Sequence, residues 1–412
     1  MRAREIWSPR FATIAMAACL AVLSPSVAAA QPGFTVTLGR AFNSVSDPNV
    51  PSESRQTLAG TVAAEHVLAA ERLRLFYTLD AGNYTTPGDW RYFLNNVGAT
   101  WRVTLGEKKQ NFLYLSGSGS WRTNGTSWAA ADYRALGLMA NVEVHPSAGA
   151  TVRFGYRLDA REFPDLAALD QVQHDGFLSA LVNLPTRTTL IGEAHLGAKS
   201  YSDAVVTPVL MTPSEPTSPG SGAGRMGRGM GPSLRGVSLA SSPTIEQNQA
   251  GLISWTARIA QSLTDRTGAS FQYAQRITFG RVAPLVVTTP ALYFDDGVYD
   301  DPFASDARVP SVTLKHLFAG GMAVEALASR MLKDYNALLA LDRNGAGLPS
   351  LALRKDRIWR AGAGWTMPLL PSKTGPLGID LNVDYLFTRH QSNDAFYNYT
   401  SHAIGIGATV SY

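Results

Sequence analysis

Residues 376–412 read PLGIDLNVDYLFTRHQSNDAFYNYTSHAIGIGATVSY. Ile379, Leu381, Val383, Tyr385 and Phe387 fall on one parity, and Asp380, Asn382, Asp384 and Thr388 on the other. After a polar interval at 391–397 the pattern resumes, with Ile404, Ile406, Ala408 and Val410 alternating against Gly405, Gly407, Thr409 and Ser411 up to Tyr412. A period of two puts the apolar set on one face of a β-strand. Both runs outlast the ~5–6 residues usual in soluble sheets and reach the ~9–11 tilted residues that cross a bilayer.

The same alternation extends toward the N-terminus. Val97, Ala99, Trp101, Val103 and Leu105 share a face, as do Leu136, Leu138, Ala140, Val142 and Val144, and Val152, Phe154, Tyr156 and Leu158. Strands are predicted at 33–43, 56–68, 71–84, 91–106, 110–123, 131–145, 148–162 and 173–184. Eight more follow at 187–202, 247–263, 267–281, 307–319, 321–334, 354–367, 376–390 and 398–412.

A soluble sandwich alternates too, so the links decide. Tight links at 69–70, 106–109, 145–147, 184–186, 264–266 and Gly320, with the somewhat longer 368–375, take turns with long polar ones. The long links are 44–55, 85–90, 163–172, 203–246, 282–306, 335–353 and 391–397. Short turns on one side and long loops on the other describe an all-β, antiparallel up-and-down transmembrane barrel of about 16 strands, with 14 as the alternative count. Its short turns and both termini face the periplasm.

Composition agrees. Only 17% of the 412 residues are charged, against ~25% in ordinary soluble domains. Outside 11–27 no apolar run is long enough for a membrane helix. A formal charge of +4 argues against a dedicated nucleic-acid binder. Residues 1–30 carry Arg2, Arg4 and Arg10, an apolar stretch from Phe11, and Ala28-Ala29-Ala30, so they read as a cleaved signal peptide. The one cysteine, Cys19, lies within it, so the single barrel domain 31–412 would hold no disulfide. Expected partners are outer-membrane lipid and the barrel assembly machinery, and oligomeric state stays open.

The final strand is the expected assembly signal: Tyr412 ends it, and Val410, Ala408, Ile406 and Ile404 precede it at two-residue steps. The whole mature chain resembles bacterial outer-membrane β-barrels of porin-like size. The stretch Tyr156–Tyr201, with Phe163-Pro164-Asp165-Leu166 and Leu184-Pro185-Thr186-Arg187-Thr188-Thr189-Leu190, is similar to segments of outer-membrane barrels with no assigned function. The resemblance implies the fold and the location, and no substrate.

A sixteen-strand barrel leaves an aqueous interior unless loops fill it. The polar parity directs Arg74, Arg102, Arg153, Arg157, Arg258, Arg276 and Arg360 inward, with Asp80, Glu143, Asp159, Glu193, Asp380 and Asp384. Such charges either bias which solutes pass or pair across strands and hydrate the wall. Trp90, Trp121, Trp128, Trp365, Tyr385 and Tyr397 are candidates for interfacial aromatic girdles. Ser218–Gly231, inside 203–246, is so rich in glycine that disorder is expected there. Asp295, Asp296, Asp300 and Asp301 offer a weak calcium signal with no EF-hand spacing, and otherwise no cofactor is expected. Among seven histidines, His174 beside Asp170 and Asp175 is the best placed at the rim for catalysis, yet no nucleophile motif accompanies it. The leading expectation is a channel for small hydrophilic solutes. A plugged surface barrel acting in export or adhesion comes second, and a barrel enzyme third.

Overall fold

The computed structural model describes residues 32–47, 50–68, 72–84, 91–106, 110–125, 129, 132–165, 167, 170–202, 205–206, 210–211, 245–246, 249–280, 286–287, 301–342, 347–348, 352–370 and 377–411. The barrel strands begin with β1 Pro32–Asp47, β2 Val50–Leu68, β3 Leu73–Tyr84 and β4 Arg91–Leu105. They continue with β5 Asn111–Asn124, β6 Tyr133–Ser147, β7 Ala150–Glu162 and β8 Gln171–Asn183. Next come β9 Thr188–Tyr201, β10 Gln249–Ser262, β11 Thr267–Phe279 and β12 Ser305–Leu317. The last four are β13 Ala323–Leu339, β14 Leu353–Leu370, β15 Gly378–Ser392 and β16 Tyr399–Ser411. Each strand pairs with its neighbours in sequence order and the sheet is closed.

Closure runs from Thr35 opposite Ser411 to Ser46 opposite Thr400, all antiparallel. It is obligatory in lipid, where an unpaired backbone N–H or C=O costs several kcal/mol and a free sheet edge has nothing to bond. Two short pairs lie outside the barrel, Val205–Val206 with Ile245–Glu246 and Leu210–Met211 with Val286–Val287.

Parity sorts the two faces. The outward face exposes large apolar side chains round the circumference: Leu138, Phe154, Leu178, Leu196, Ile259, Phe271, Val312, Ile404 and Ile406. A water-soluble protein cannot leave a belt of this extent wet. The opposite face carries the hydroxyls, amides and charges. The protein is an outer-membrane β-barrel.

Two expected boundaries move. The link foreseen at 44–55 is mostly strand, since β1 reaches Asp47 and β2 starts at Val50, with Val45 opposite Glu53. The polar run there had argued for a loop. Pro51 falls where the register shifts between Val45 and Asp47, and a bulge tolerates it. The β6–β7 turn lies at 148–149, later than 145–147, because the ladder continues past a register shift to Ser147 opposite Ala150. At the β12–β13 turn Gly320 and Gly321 take φ of 87° and 88°, a conformation that penalises any Cβ.

Several expectations fall outside the described residues: most of the glycine-rich segment of 203–246, Lys108 and its neighbours at 107–109, Trp90, Trp128, Asp295, Asp296, Asp300 and Tyr412.

Candidate functional site

On β6 to β9 the inward face is an ion-pair ladder. Near the short-turn end Arg153 Nε donates to Glu143 at 2.5 Å, and Nε2 of His145 lies 3.4 Å from the same carboxylate. Higher on the wall Arg157 sits 2.9 Å from Asp159 and 3.6 Å from Asp175. Asp175 also meets His195 Nδ1 at 3.1 Å, while His195 Nε2 meets Glu193 at 2.7 Å. At the loop end Arg161 lies over the Tyr133 ring at 4.4 Å. Direct opposition across strands brings Arg153 to Glu143 and Arg157 to Asp175, while His145, Asp159 and Glu193 meet their partners two residues along the same strand.

In a closed ring of sixteen strands, β14, β15, β16 and β1 stand across from β6 to β9. There Arg354 and Asp356 pair at 2.6 Å, and His390 Nε2 lies 3.1 Å from Asp356. The Tyr399 hydroxyl lies 3.1 Å from His390 Nδ1. The Arg354 guanidinium stacks between Tyr335, at 4.7 Å, and Tyr397, at 3.3 Å. Arg354, Asp356, His390 and Lys333 are all buried. Tyr397 is thus on a 3₁₀ turn, Ala395–Tyr397, packed against the cation. That differs from its expected place in an outer girdle, and burial raises its phenol pKa.

The wall between these clusters is lined with hydroxyls. Thr61 donates to Asp80 at 2.5 Å, Thr100 meets Ser116 at 3.1 Å, and Thr37 meets Thr409 at 3.3 Å. Asn382 bridges Thr366 and Thr409 at 3.0 and 3.1 Å.

The chain returning to β12 folds inward against the inner wall of β9 to β13. Asp301 accepts from Lys199 Nζ at 2.5 Å and from the Tyr201 hydroxyl at 2.7 Å, and its other oxygen caps the N–H of Phe303 at 2.9 Å. Pro302–Ala304 form a 3₁₀ turn, and Phe303 and Ala304 are fully buried against Tyr201, Ala250, Leu252 and Tyr335. Gly197 permits the approach: a Cβ there would lie 3.1 Å from the Phe303 ring. Arg276 locks the exit, donating to the Ser305 carbonyl at 2.9 Å and to its hydroxyl at 2.8 Å. Lys199 and Asp301 keep only 3% and 6% of their side-chain surfaces exposed. We call this segment the latch.

All the lumen candidates from the sequence lie on the face opposite the apolar belt. Arg153, Arg157, Glu143, Asp159 and Glu193 join the ladder, Arg276 joins the latch, and Asp80 joins the hydroxyl wall. Arg102 lies over the Phe112 ring at 5.2 Å. Arg258 and Arg360 form no ion pair with a described carboxylate, and Arg258 Nε is buried without a hydrogen-bond partner. Arg74, Asp380 and Asp384 sit toward the short-turn half of the wall, on β3 and β15. Sequence reasoning passed over Asp175, Lys199, Arg354, Asp356 and His390 as lumen sites. The same parity selects them, but nothing local singles them out.

Two expectations are corrected. Asp301 faces inward with its carboxylate engaged by Lys199, Tyr201 and Phe303, so it is not offered to an outer calcium ion. His174 faces outward beside the Tyr156 hydroxyl, in the belt and away from the lumen. His195 has both ring nitrogens held by carboxylates, which leaves neither to activate a hydroxyl such as that of Ser254, its neighbour on β10.

No family model and no curated protein matches the sequence. Among solved structures the chain is similar to OpdO of Pseudomonas aeruginosa, at 9% identity and a TM-score of 0.47, over 92% of this chain and 97% of that one. For OccK7 (OpdD) of the same organism the values are 10%, 0.48, 93% and 99%. For OccAB4 of Acinetobacter baumannii they are 8%, 0.46, 93% and 98%. At these values the likeness concerns barrel architecture alone, and the fold rests on the closed strand order itself.

Proposed function

We propose that the protein is an outer-membrane channel for passive passage of small hydrophilic solutes. The observation that carries this reading is the inward face. A closed barrel that needed only to anchor surface loops has no use for a continuous polar wall of opposed charges and hydroxyls. The ladder's Arg153, Arg157, Asp159 and Glu193 keep about half of their side-chain surfaces exposed, so a solute passing them meets both signs of charge, while the Arg354–Asp356 cluster is buried in the wall. The inward set from Arg74 to Asp384 is proposed to tune which ions and solutes pass, with much of the field cancelled inside pairs. The latch narrows the loop end, which points to small solutes. Lipid of the outer membrane surrounds the belt, and assembly is proposed to proceed through the usual barrel-insertion machinery.

Planar-bilayer recording of the purified protein tests the reading. Stepwise ion currents are expected. A correctly folded barrel that stays silent in the bilayer favours a plugged barrel acting in export or adhesion, and refutes the channel.

A further inference from the structure

On the outward face, at the loop ends of β12 to β15, cations stand where lipid headgroups begin. Arg308, Arg330, Lys355, Arg357 and Arg389 all share the parity of the apolar belt and stand at its loop-end edge, with Leu332 and Trp359 interleaved among them. In β12 they follow Val312 and Leu314, and in β13 Ala326 and Ala328. In β14 they follow Ala363 and Ala361, and in β15 Tyr385 and Phe387.

The pairing fixes two rows. In one, Arg308 opposes Leu332, Leu332 opposes Arg357, and Arg357 opposes Gln391. In the other, Arg330 opposes Trp359 and Trp359 opposes Arg389. Strand spacing separates the arginines of a row by about 10 Å and the rows by about 7 Å, the footprint of a lipid headgroup.

The patch is short of negative charge. Asp334 pairs with Lys355 at 3.8 Å, both well exposed. Asp306 accepts the N–H and hydroxyl of Thr278 at 2.8 Å each. Arg308, Arg357 and Arg389 are exposed and make no ion pair with a described carboxylate. Arg330 lies under the Trp359 ring at 4.8 Å, and its Nε is buried without a partner. Elsewhere on the same face charge is balanced: Arg134 on β6 directly opposes Glu162 on β7.

We propose that this patch is a binding site for the phosphorylated headgroup of an outer-leaflet lipid. Guanidinium groups bind phosphate oxygens in pairs, with a planar fork that matches their geometry. An arginine in mid-bilayer costs about 2–4 kcal/mol, falling toward zero at the interface, so this belt-edge position is where the sheet tolerates several. Trp359 sits among them as an interfacial anchor. A ligand here has its acyl chains along Leu314, Ala328 and Ala361, which favours a membrane lipid over a soluble phosphate. The patch also lies outside the lumen, so the site is independent of whether the barrel conducts.

The test is native mass spectrometry of the purified full-length barrel in detergent with diphosphorylated lipid A, its monophosphorylated form, or phosphatidylglycerol. Wild type should retain the diphosphorylated lipid most strongly. Arg308→Gln, Arg357→Gln and Arg389→Gln together should weaken retention about tenfold or more, and Arg134→Gln should not. Retention should fall as sodium chloride rises, and this wild-type measurement decides the matter if the triple variant fails to fold. Equal retention of all three lipids, an unaffected triple variant, or salt-independent retention overturns the proposal. Full displacement by millimolar inorganic phosphate also overturns it, in favour of a soluble-anion site.

Discussion

Replacing Asp301 by alanine removes the centre of the latch. Three bonds go at once: Lys199 Nζ at 2.5 Å, the Tyr201 hydroxyl at 2.7 Å, and the Phe303 N–H at 2.9 Å. Lys199 then stays buried with no counter-charge. Breaking a buried ion pair by removing one partner costs about 3–5 kcal/mol. The barrel ladder does not run through this segment, so little of that cost falls on the strands. It falls on the docking equilibrium of 301–304, where a change of about 3 kcal/mol shifts the docked-to-undocked ratio by roughly two orders of magnitude. Phe303 then leaves the lumen and the loop end widens.

Single-channel recording reads this directly. Asp301→Ala should show a larger and noisier conductance than wild type, while unboiled electrophoretic migration stays that of a folded barrel. Lys199→Met combined with Asp301→Leu should return conductance toward wild type, because apolar side chains of similar size often replace a buried pair without loss. Tyr201→Phe should have a smaller effect, about 1 kcal/mol, since it removes one hydrogen bond and leaves the charges matched. Unchanged conductance in Asp301→Ala refutes the latch as a constriction. A double variant no different from the single one refutes the ion pair as its fastening.

Arg153→Glu with Arg157→Glu should move the reversal potential toward cation preference. It should also lower stability by about 1–3 kcal/mol in a urea titration, because Glu143 and Asp175, both 7% exposed, lose their arginines and keep only His145 and His195, even though the arginines themselves are half in solvent. Deleting 404–412, or making Tyr412 charged, should leave the protein unassembled in the periplasm; membrane-inserted, heat-modifiable protein after the deletion would refute the role of the last strand. Single cysteines check orientation: with Cys19, the one cysteine of the sequence, replaced by serine, a cysteine at Ser202, at the loop end of β9, should react with an impermeant reagent on intact cells. One at Asp265, in the β10–β11 turn, should react only after the outer membrane is opened. The reverse pattern inverts the topology.

What was legible in the sequence follows from period two. One apolar parity in β15 and β16 is enough to find a strand, choose its outward face and assign Asp384 to the inward one, because a strand offers only two sides. Turn residues such as Gly320 then place the hairpins. The limits of legibility have the same origin. Parity gives a side chain its face but not its neighbour, since neighbours depend on register between strands. Arg153 is readable as inward, whereas Glu143 beneath it depends on Val144 pairing with Val152. Lys199 and Asp301 are separated by about a hundred residues, and no local pattern announces that a loop aspartate turns inward to meet a strand lysine. The polar stretch at 44–55 reads as a loop, yet Val45 pairs with Glu53, because polar residues pair in a ladder beyond the apolar belt as well as apolar ones do within it. The outward arginines were the easiest to miss: in a strand read for its belt, Arg330 and Arg389 look like the end of the apolar run. Only when four strands are set side by side do scattered chain ends become one cationic surface, which is why a barrel's contacts with its lipid are harder to read from sequence than its contacts with water.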